Sequence, residues 1–329
     1  MRAAYDIVAI GNALVDVIAP CDEAFLTSEG LAKGSMTLVE EARAQALYRR
    51  MAAAIETSGG TAANTVAGVA SFGGRASFIG KVADDGLGAV FGHDIRAIGA
   101  AYATPPLRDG PSTGRCLVNV TPDAERTMCT YLGAAVKLSP NDVAASTIQA
   151  ASALFLEGYL FDPPEARRAF AKAAGLARAA GRTIALSLSD SFLVERHREA
   201  LLAFIESQVD VVLANAAEVC SLFPSLGPEE AIRRLTRIAG IAAVTFGERG
   251  SRVATATSSH DIAARPIERV VDSTGAGDQY AAGFLFGLAR DQPLTVCAEL
   301  GALAAAEVIT HYGPRPQASL KDLVRAAEP

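Results

Sequence analysis

The stretch Val270-Val271-Asp272-Ser273-Thr274-Gly275-Ala276-Gly277-Asp278 decides how this chain is read. It runs into Gln279-Tyr280-Ala281-Ala282-Gly283-Phe284-Leu285-Phe286-Gly287-Leu288, whose apolar character predicts a buried helix. A Gly-rich turn is thereby placed at a helix N-terminus, where the first backbone N–H groups have no intrahelical partner. Those donors, with the positive end of the helix dipole, suit an anion, phosphate above all. Asp278 falls inside that first turn. A proton acceptor beside a cradle for phosphate charge is what phosphoryl transfer to a hydroxyl needs. Read alone, the same residues also fit a tight turn followed by an ordinary first-turn acid.

Composition sets the frame around this stretch. The chain has 329 residues, half of them apolar, which is ample for a large core, and α/β chains of this size often form one domain. A net charge of −6, with no Lys/Arg run, argues against nucleic acid as the partner. The five cysteines are scattered, odd in number and free of C-x-x-C spacing, so they read as reduced thiols. The four histidines are equally dispersed, which argues against a metal cluster built on them. Asp6 interrupts the first apolar run, so no signal peptide is expected, and no apolar span reaches the roughly 20 residues of a membrane helix. The expectation is a cytoplasmic protein that binds neither membrane nor nucleic acid.

From the N-terminus, residues 5–10 are apolar and end at Gly11-Asn12, predicting a buried strand and then a turn over residues 11–16. Ligands of open α/β sheets gather beyond the carboxyl ends of strands. Asp16, with two acceptor oxygens, could chelate two hydroxyls there, or bond its own backbone as a turn residue. No G-x-G-x-x-G follows that strand, and Val82 after Gly80-Lys81 breaks a Walker A pattern. Residues 39–55 are helix-like. Thr57-Ser58-Gly59-Gly60-Thr61-Ala62-Ala63-Asn64 reads as a loop entering a second helix. Its glycines permit close approach of backbone to a ligand, Thr61 suits an N-cap, and Asn64 lies about one turn in.

Residues 76–79 predict a strand, and the acids at 84–85 open a helix reaching Ile98. Residues 101–112 read as a loop. Residues 115–121 and 126–132, split by Pro122-Asp123-Ala124-Glu125, form a hairpin expected to leave the main sheet as a lid or dimer surface. Beyond Asn141, strands at 153–156, 183–188, 209–213 and 242–246 alternate with helices. One helix starts at Asp162-Pro163-Pro164-Glu165 with a capping-box pattern and reaches Ala180; another spans 196–207. Such alternation predicts a mostly parallel sheet covered on both faces. An apolar helix at 302–309 is stopped by Pro314 and Pro316.

With these residues in place, the chain resembles the ribokinase-like (PfkB) family of carbohydrate and nucleoside kinases, and within it the adenosine kinases most. Gly59-Gly60 with Asn64 is similar to the family's N-terminal signature, and residues 272–278 to its C-terminal one. Asn215-Ala216-Ala217-Glu218 is similar to its N-x-x-E motif, and Thr245-Phe246-Gly247-Glu248-Arg249-Gly250 to its nucleotide-side loop. Four motifs in the family's order span nearly the whole chain. The resemblance implies a single α/β domain over residues 1–329. It would be a three-layer α/β/α arrangement with a central, mostly parallel sheet and a small β lid from residues 12–40 and 108–135.

The resemblance also implies roles. Asp278 would be the base, with the amides of Gly275, Ala276 and Gly277 as an anion hole for the γ-phosphoryl. Asn12, Asp16, Gly59, Gly60 and Asn64 would grip sugar hydroxyls. Asn215 and Glu218 would act through water on Mg²⁺ and phosphate, with Thr245, Gly247 and Gly250 lining the ATP side. Ser273 replaces the family's usual Thr and keeps the hydroxyl. Asp272 and Thr274 correspond to positions near a monovalent-cation site of some relatives, which leaves a requirement for K⁺ open.

The acceptor is argued from Gly11–Asp16 and Arg126–Ala135, which look more like adenosine kinases than ribokinase. By resemblance Met36, Leu38, Met128 and Thr130 face a base, and a mixed apolar cluster suits a flat purine better than a polyol. The implied reaction is phosphorylation of the 5′-hydroxyl of a purine nucleoside, adenosine to AMP being the leading case. The alternative is a sugar kinase of the same family acting on ribose, fructose or a 2-keto-3-deoxy sugar acid; a catalytically silent binding protein is a third reading. Monomer and homodimer are both compatible with the lid.

Overall fold

The computed structural model describes residues 3–123 and 125–327. In chain order the strands are β1 (Tyr5–Ile10), β2 (Leu14–Pro20), β3 (Met36–Leu38), β4 (Ile55–Gly59), β5 (Ala76–Ile79), β6 (Ala101–Tyr102) and β7 (Thr113–Val120). They continue as β8 (Arg126–Gly133), β9 (Ala151–Glu157), β10 (Thr183–Ser187), β11 (Val211–Asn215), β12 (Ile241–Thr245), β13 (Ser251–Ala254) and β14 (Ser259–Ile262). The α-helices are α1 (Glu23–Ser28), α2 (Glu41–Tyr48), α3 (Thr61–Ser71), α4 (Gly86–Ala97), α5 (Ala145–Gln149) and α6 (Pro164–Ala179). After them come α7 (Ser191–Gln208), α8 (Ala216–Leu222), α9 (Pro228–Ala239), α10 (Ala276–Leu288), α11 (Leu294–Val308) and α12 (Leu320–Ala327).

Nine strands form the main sheet in the order β14-β13-β12-β11-β10-β9-β1-β5-β6, parallel except for the antiparallel pairs at β13 and β14. Along β1 the side chains alternate between two cores. Ile7 and Ala9 pack with Val66 of α3, Phe284 of α10 and Ala298 of α11. Val8 and Ile10 pack with Phe170 of α6, Leu201 of α7 and Leu235 of α9. Burial on both faces is why these strands read as continuous apolar runs, and it gives the three-layer α/β/α fold expected from sequence.

The hairpin β7–β8 leaves this sheet, as expected, for a second one ordered β3-β8-β7-β2-β4; Ala124 of its turn lies outside the described residues. Several expected boundaries change here. The helix-like stretch 39–55 contains only the short α2, and residues 57–59 are strand rather than loop. Ile55-Glu56-Thr57-Ser58 alternates apolar or β-branched with polar residues and pairs antiparallel with β2. Asp16 is accordingly a strand residue, paired with Thr57, and not part of a turn. The second sheet therefore includes β4, outside the segments 12–40 and 108–135.

Helix starts differ too. Gly60, not Thr61, caps α3. Asp162 does not cap α6, because its carboxylate is claimed by Arg196 (2.8 Å) and His197 (2.6 Å). The helix expected at 196–207 begins at Ser191, where Asp190 caps the N–H groups of Phe192 (2.7 Å) and Leu193 (3.3 Å). The last long apolar helix also starts earlier, at Leu294.

Candidate active site

Two adjoining cavities open at the carboxyl ends of β1, β9, β10, β11 and β12, where a parallel sheet offers a crevice. The larger, about 680 Å³, lies toward the small sheet. The smaller is about 230 Å³. They share Thr61, Tyr159, Ser189, Asn215 and Asp278 as walls. The residue of the opening motif thus stands where the two meet.

Gly275 begins that motif's turn in a left-handed conformation, φ +76°, and a Cβ there would lie 2.6 Å from the backbone of Pro314. Only glycine meets both demands. Ala276 N donates to Ser273 O (3.3 Å) and Gln279 N to Gly275 O (2.8 Å), leaving the N–H groups of Gly277 and Asp278 without backbone acceptors. Of the amides expected to cradle an anion, that of Ala276 is already engaged, and the N–H of Asp278 stands unpaired next to that of Gly277. Asp278 Oδ2 accepts from Asn64 Nδ2 at 2.9 Å. Burial pushes the Asp278 pKa up to about 6, against the hydrogen bonds of Asn64 and Thr61 and the charge of Arg126. A carboxylate of that pKa is mostly ionised at neutral pH and is a stronger base than an ordinary aspartate.

The polar part of the larger cavity is built on Glu157, a residue sequence reasoning passed over. Its buried carboxylate ends β9 and accepts from Asn12 Nδ2 (2.7 Å), Asn12 N (3.2 Å) and Ala62 N (2.9 Å). It thereby fixes Asn12 and caps the start of α3; a Cβ on Gly11 would lie 2.4 Å from Glu157 Oε2. The signal available in sequence was its position, an acid closing an apolar strand. Asn12 Oδ1 and Asn64 Oδ1 are buried without hydrogen-bond partners, and both residues line the larger cavity. Asp16 is buried beside them, and a Cβ on Gly59 would lie 2.2 Å from its carboxyl. Burial raises Asp16 to about 7, opposed by Arg315 and Arg126. Gly60, at φ +100°, is pressed against Asn12 O, 2.2 Å from where a Cβ would be.

Beyond these polar groups the larger cavity turns apolar. Met36 and Leu38 on β3 pair with Met128 and Thr130 on β8, and all four line it, with Val118 and Cys116 of β7. Phe192 at the start of α7 also lines it and is 74% exposed. No local pattern marked Phe192, and Arg126 reads in sequence only as the start of the hairpin's second strand. Arg126 opens β8 and reaches across to the turn before α10, with Nε 2.8 Å from Asp272 Oδ1 and Nη2 3.2 Å from Ser273 Oγ. Asp272 also accepts from Thr274 N (2.9 Å), Thr274 Oγ1 (2.5 Å) and Gly313 N (2.9 Å).

On the smaller cavity's side, Asn215 and Glu218 form a reciprocal capping box at the start of α8. Glu218 N donates to Asn215 Oδ1 (2.9 Å), Asn215 N to Glu218 Oε2 (3.0 Å) and Asn215 Nδ2 to Glu218 Oε1 (2.8 Å). Glu218 is buried, and burial raises its pKa to about 7. Thr245 and Gly277 line this cavity, whereas Gly247 and Gly250 shape the turn after β12 and line neither. Ser189, in both walls, holds φ +67°, a conformation non-glycine residues rarely keep without a functional reason. Among the described residues no group of three or more His, Cys, Asp or Glu could hold a metal. The residues fit a divalent ion that arrives on phosphate and keeps most of its water shell.

The chain matches the model of the pfkB family of carbohydrate kinases over residues 6–321. It is similar to the crystal structure of adenosine kinase from Sinorhizobium meliloti, with 49% identity over 99% of this chain and 100% of that one, at a TM-score of 0.94. A probable sugar kinase protein from Rhizobium etli CFN 42 is similar at 44% identity over 99% of each chain, again at 0.94. The 5-dehydro-2-deoxygluconokinase of Geobacillus kaustophilus is 27% identical over 77% of this chain and 79% of its own length. The motifs, the shared walls of the two cavities and these similarities agree: the chain belongs to the pfkB family of carbohydrate kinases, ATP-dependent enzymes that phosphorylate a hydroxyl of a nucleoside or sugar.

Proposed function

We propose that the chain transfers the γ-phosphoryl group of ATP to the 5′-hydroxyl of a purine nucleoside, adenosine first among them. One observation carries this reading: the larger cavity is lined both by the polar groups of Asp16, Asn64 and Asp278 and by an apolar cluster of Met36, Leu38 and Met128 on the paired strands β3 and β8. A nucleoside has that polarity, with hydroxyls at one end and a flat base at the other. A sugar or sugar acid has no apolar face to bury there. The similarity to the Sinorhizobium adenosine kinase supports the same reading.

In this reading Asp278 takes the proton from the acceptor hydroxyl as that oxygen attacks. The N–H groups of Gly277 and Asp278, at the N-terminus of α10, hold the equatorial oxygens of the transferring group. Asp16 and the free oxygens of Asn12 and Asn64 take the ribose hydroxyls. Bound MgATP supplies the phosphoryl group, and Thr245, Asn215 and Glu218 stand on its side, Glu218 reaching the metal through water. The small sheet acts as a lid, tied by Arg126 to the phosphate turn.

The second reading is a sugar kinase, favoured by the similarities to the Rhizobium etli protein and the Geobacillus enzyme. A panel of adenosine, inosine, guanosine, ribose, fructose and 5-dehydro-2-deoxygluconate, with ADP release measured at saturating MgATP, separates the two. The expected result is a kcat/KM for one purine nucleoside at least ~100-fold above any sugar, the size of discrimination a complementary apolar slot supplies. Turnover of a sugar with none of any nucleoside would reverse the assignment.

A further inference from the structure

Gln279, the residue after Asp278, is fully buried where α3, α10 and the segment following α11 meet. Its Nε2 donates to Asn64 O of α3 (2.9 Å) and to Pro314 O (2.9 Å). Both partners are carbonyls, so the amide has one orientation only, with its nitrogen toward them. Oε1 then lies against Gly68 of α3, where a Cβ would meet it at 2.1 Å, and it is buried without a partner. An unpaired buried acceptor costs free energy that a hydrocarbon of the same size would avoid. Packing alone therefore does not call for glutamine here; what the amide supplies is the tie to Asn64 and Pro314.

That tie bears on Asp278 through Asn64. Asn64 Nδ2 donates to Asp278 Oδ2 (2.9 Å), and Thr65 Oγ1 shares its proton between Thr61 O (2.9 Å) and Asp278 O (3.2 Å). Residues 64–65 of α3 and 278–279 of α10 are thus joined three times, and the bond from Gln279 runs opposite to the other two. The Pro314 end backs the motif's turn: a Cβ on Gly275 would lie 2.6 Å from the Pro314 backbone, and Gly313 N donates to Asp272 Oδ2 (2.9 Å). Glu157 anchors the first turn of α3 at Ala62 N (2.9 Å), and Gln279 anchors it at Asn64. We propose that Gln279 is a positioning residue for the base: by fixing the Asn64 peptide between α10 and Pro314, it keeps the Asn64 amide on Asp278. The proposal rests on the reading of Asp278 as that base. The ionisable groups facing Asp278 are Arg126 of β8, Asp16 of β2, Glu157 at the end of β9 and Tyr159 just after it. With these unchanged, losing the Asn64 bond removes a donor to the ionised form, and Asp278 takes up its proton at higher pH.

The test reads Asp278 directly, by carboxyl-carbon NMR of the full chain carrying labelled aspartate, with Asp278→Asn identifying its signal; no acceptor is needed. Gln279→Met is compared with wild type and with Phe72→Leu. The latter loosens the same two helices at the far end of α3 by breaking the stack of Phe72 on Phe286 (4.8 Å between ring centres). Gln279→Met is expected to move the Asp278 midpoint from about 6 to about 7, and Phe72→Leu to leave it in place. With adenosine or 5-dehydro-2-deoxygluconate, whichever is turned over, the acid limb of kcat/KM shifts in step, and above it both KM values lie within about twofold of wild type. An unmoved midpoint in Gln279→Met, or an equal movement in Phe72→Leu, would overturn the proposal. Should Gln279→Met not fold, Gly68→Ala decides in its place, because its methyl pushes the Gln279 amide off both carbonyls; an unmoved midpoint there overturns the proposal equally. Undiminished turnover in Asp278→Asn sinks the reading of Asp278 as the base instead, whatever the titrations give.

Discussion

Asp278 gains its character from Asn64, far away in the chain, and from its burial. Asn64 holds one carboxylate oxygen at 2.9 Å, and the surrounding burial lifts the group to about 6. Replacing it with Asn keeps the size and the hydrogen-bonding shape but removes the base. In Asp278→Asn the expected loss of turnover is ~10²–10⁴-fold, the usual share of a general base, with acceptor affinity by calorimetry largely unchanged. Equal losses in affinity and turnover would place Asp278 in binding rather than proton transfer. The residue types at 278, 64 and 16 could be read because each sits in a short motif with its own physical logic. Glu157 and Arg126 could not. Glu157 matters for what it fixes, Asn12 and the first turn of α3, and those partners lie 145 and 95 positions away. Arg126 reaches Ser273 across 147.

At the level of elements, the junction of β4 and α3 shows what local reading misses. Paired glycines looked like a loop, yet Gly59 ends a strand whose register with β2 puts it under the Asp16 carboxyl. Gly60 then turns the chain at φ +100°, with Asn12 O where a side chain would begin. Strand pairing overrode the turn signal because β2 supplied an unpaired edge of matching register, which no single window displays. Gly60→Ala is therefore expected to destabilise the protein by about 1–3 kcal/mol from backbone strain alone, and to raise acceptor KM by displacing Asn12. A melting temperature within a degree of wild type would show that the turn tolerates a side chain. The hairpin β7–β8, by contrast, was legible because both strands and the turn are contiguous.

Over the whole molecule, the alternation of apolar runs with helical segments fixed the three-layer architecture, since burial on both faces leaves a pattern in every strand. Charge balance is less visible in sequence, because it depends on what surrounds each group. Four carboxylates along the two cavities, Asp16, Glu157, Glu218 and Asp278, are raised by burial to between about 6 and about 7. In the unfolded chain they titrate near their ordinary values, so between those limits the folded protein binds more protons. Their contribution to stability is full below the unfolded values and is lost as pH rises through the folded ones. The carboxylates held low by partners, such as Asp85 and Asp261, lose their contribution only at more acidic pH. The melting temperature of the ligand-free protein is expected to fall from pH 5 to pH 8. A flat or rising curve across that window would contradict these shifts.

The cavities share five wall residues, with Asp278 among them, so what fills one comes within a side chain's width of what fills the other. A single compound that joins a nucleoside through its 5′-oxygen to an adenosine polyphosphate should bridge both. Once its first half is seated, the second meets its site at an effective concentration of about millimolar. Such a double-ended ligand is expected to compete with acceptor and ATP alike, and more tightly than either fragment. Competition against only one of them would mean that the two spaces, though they share walls, are never filled together.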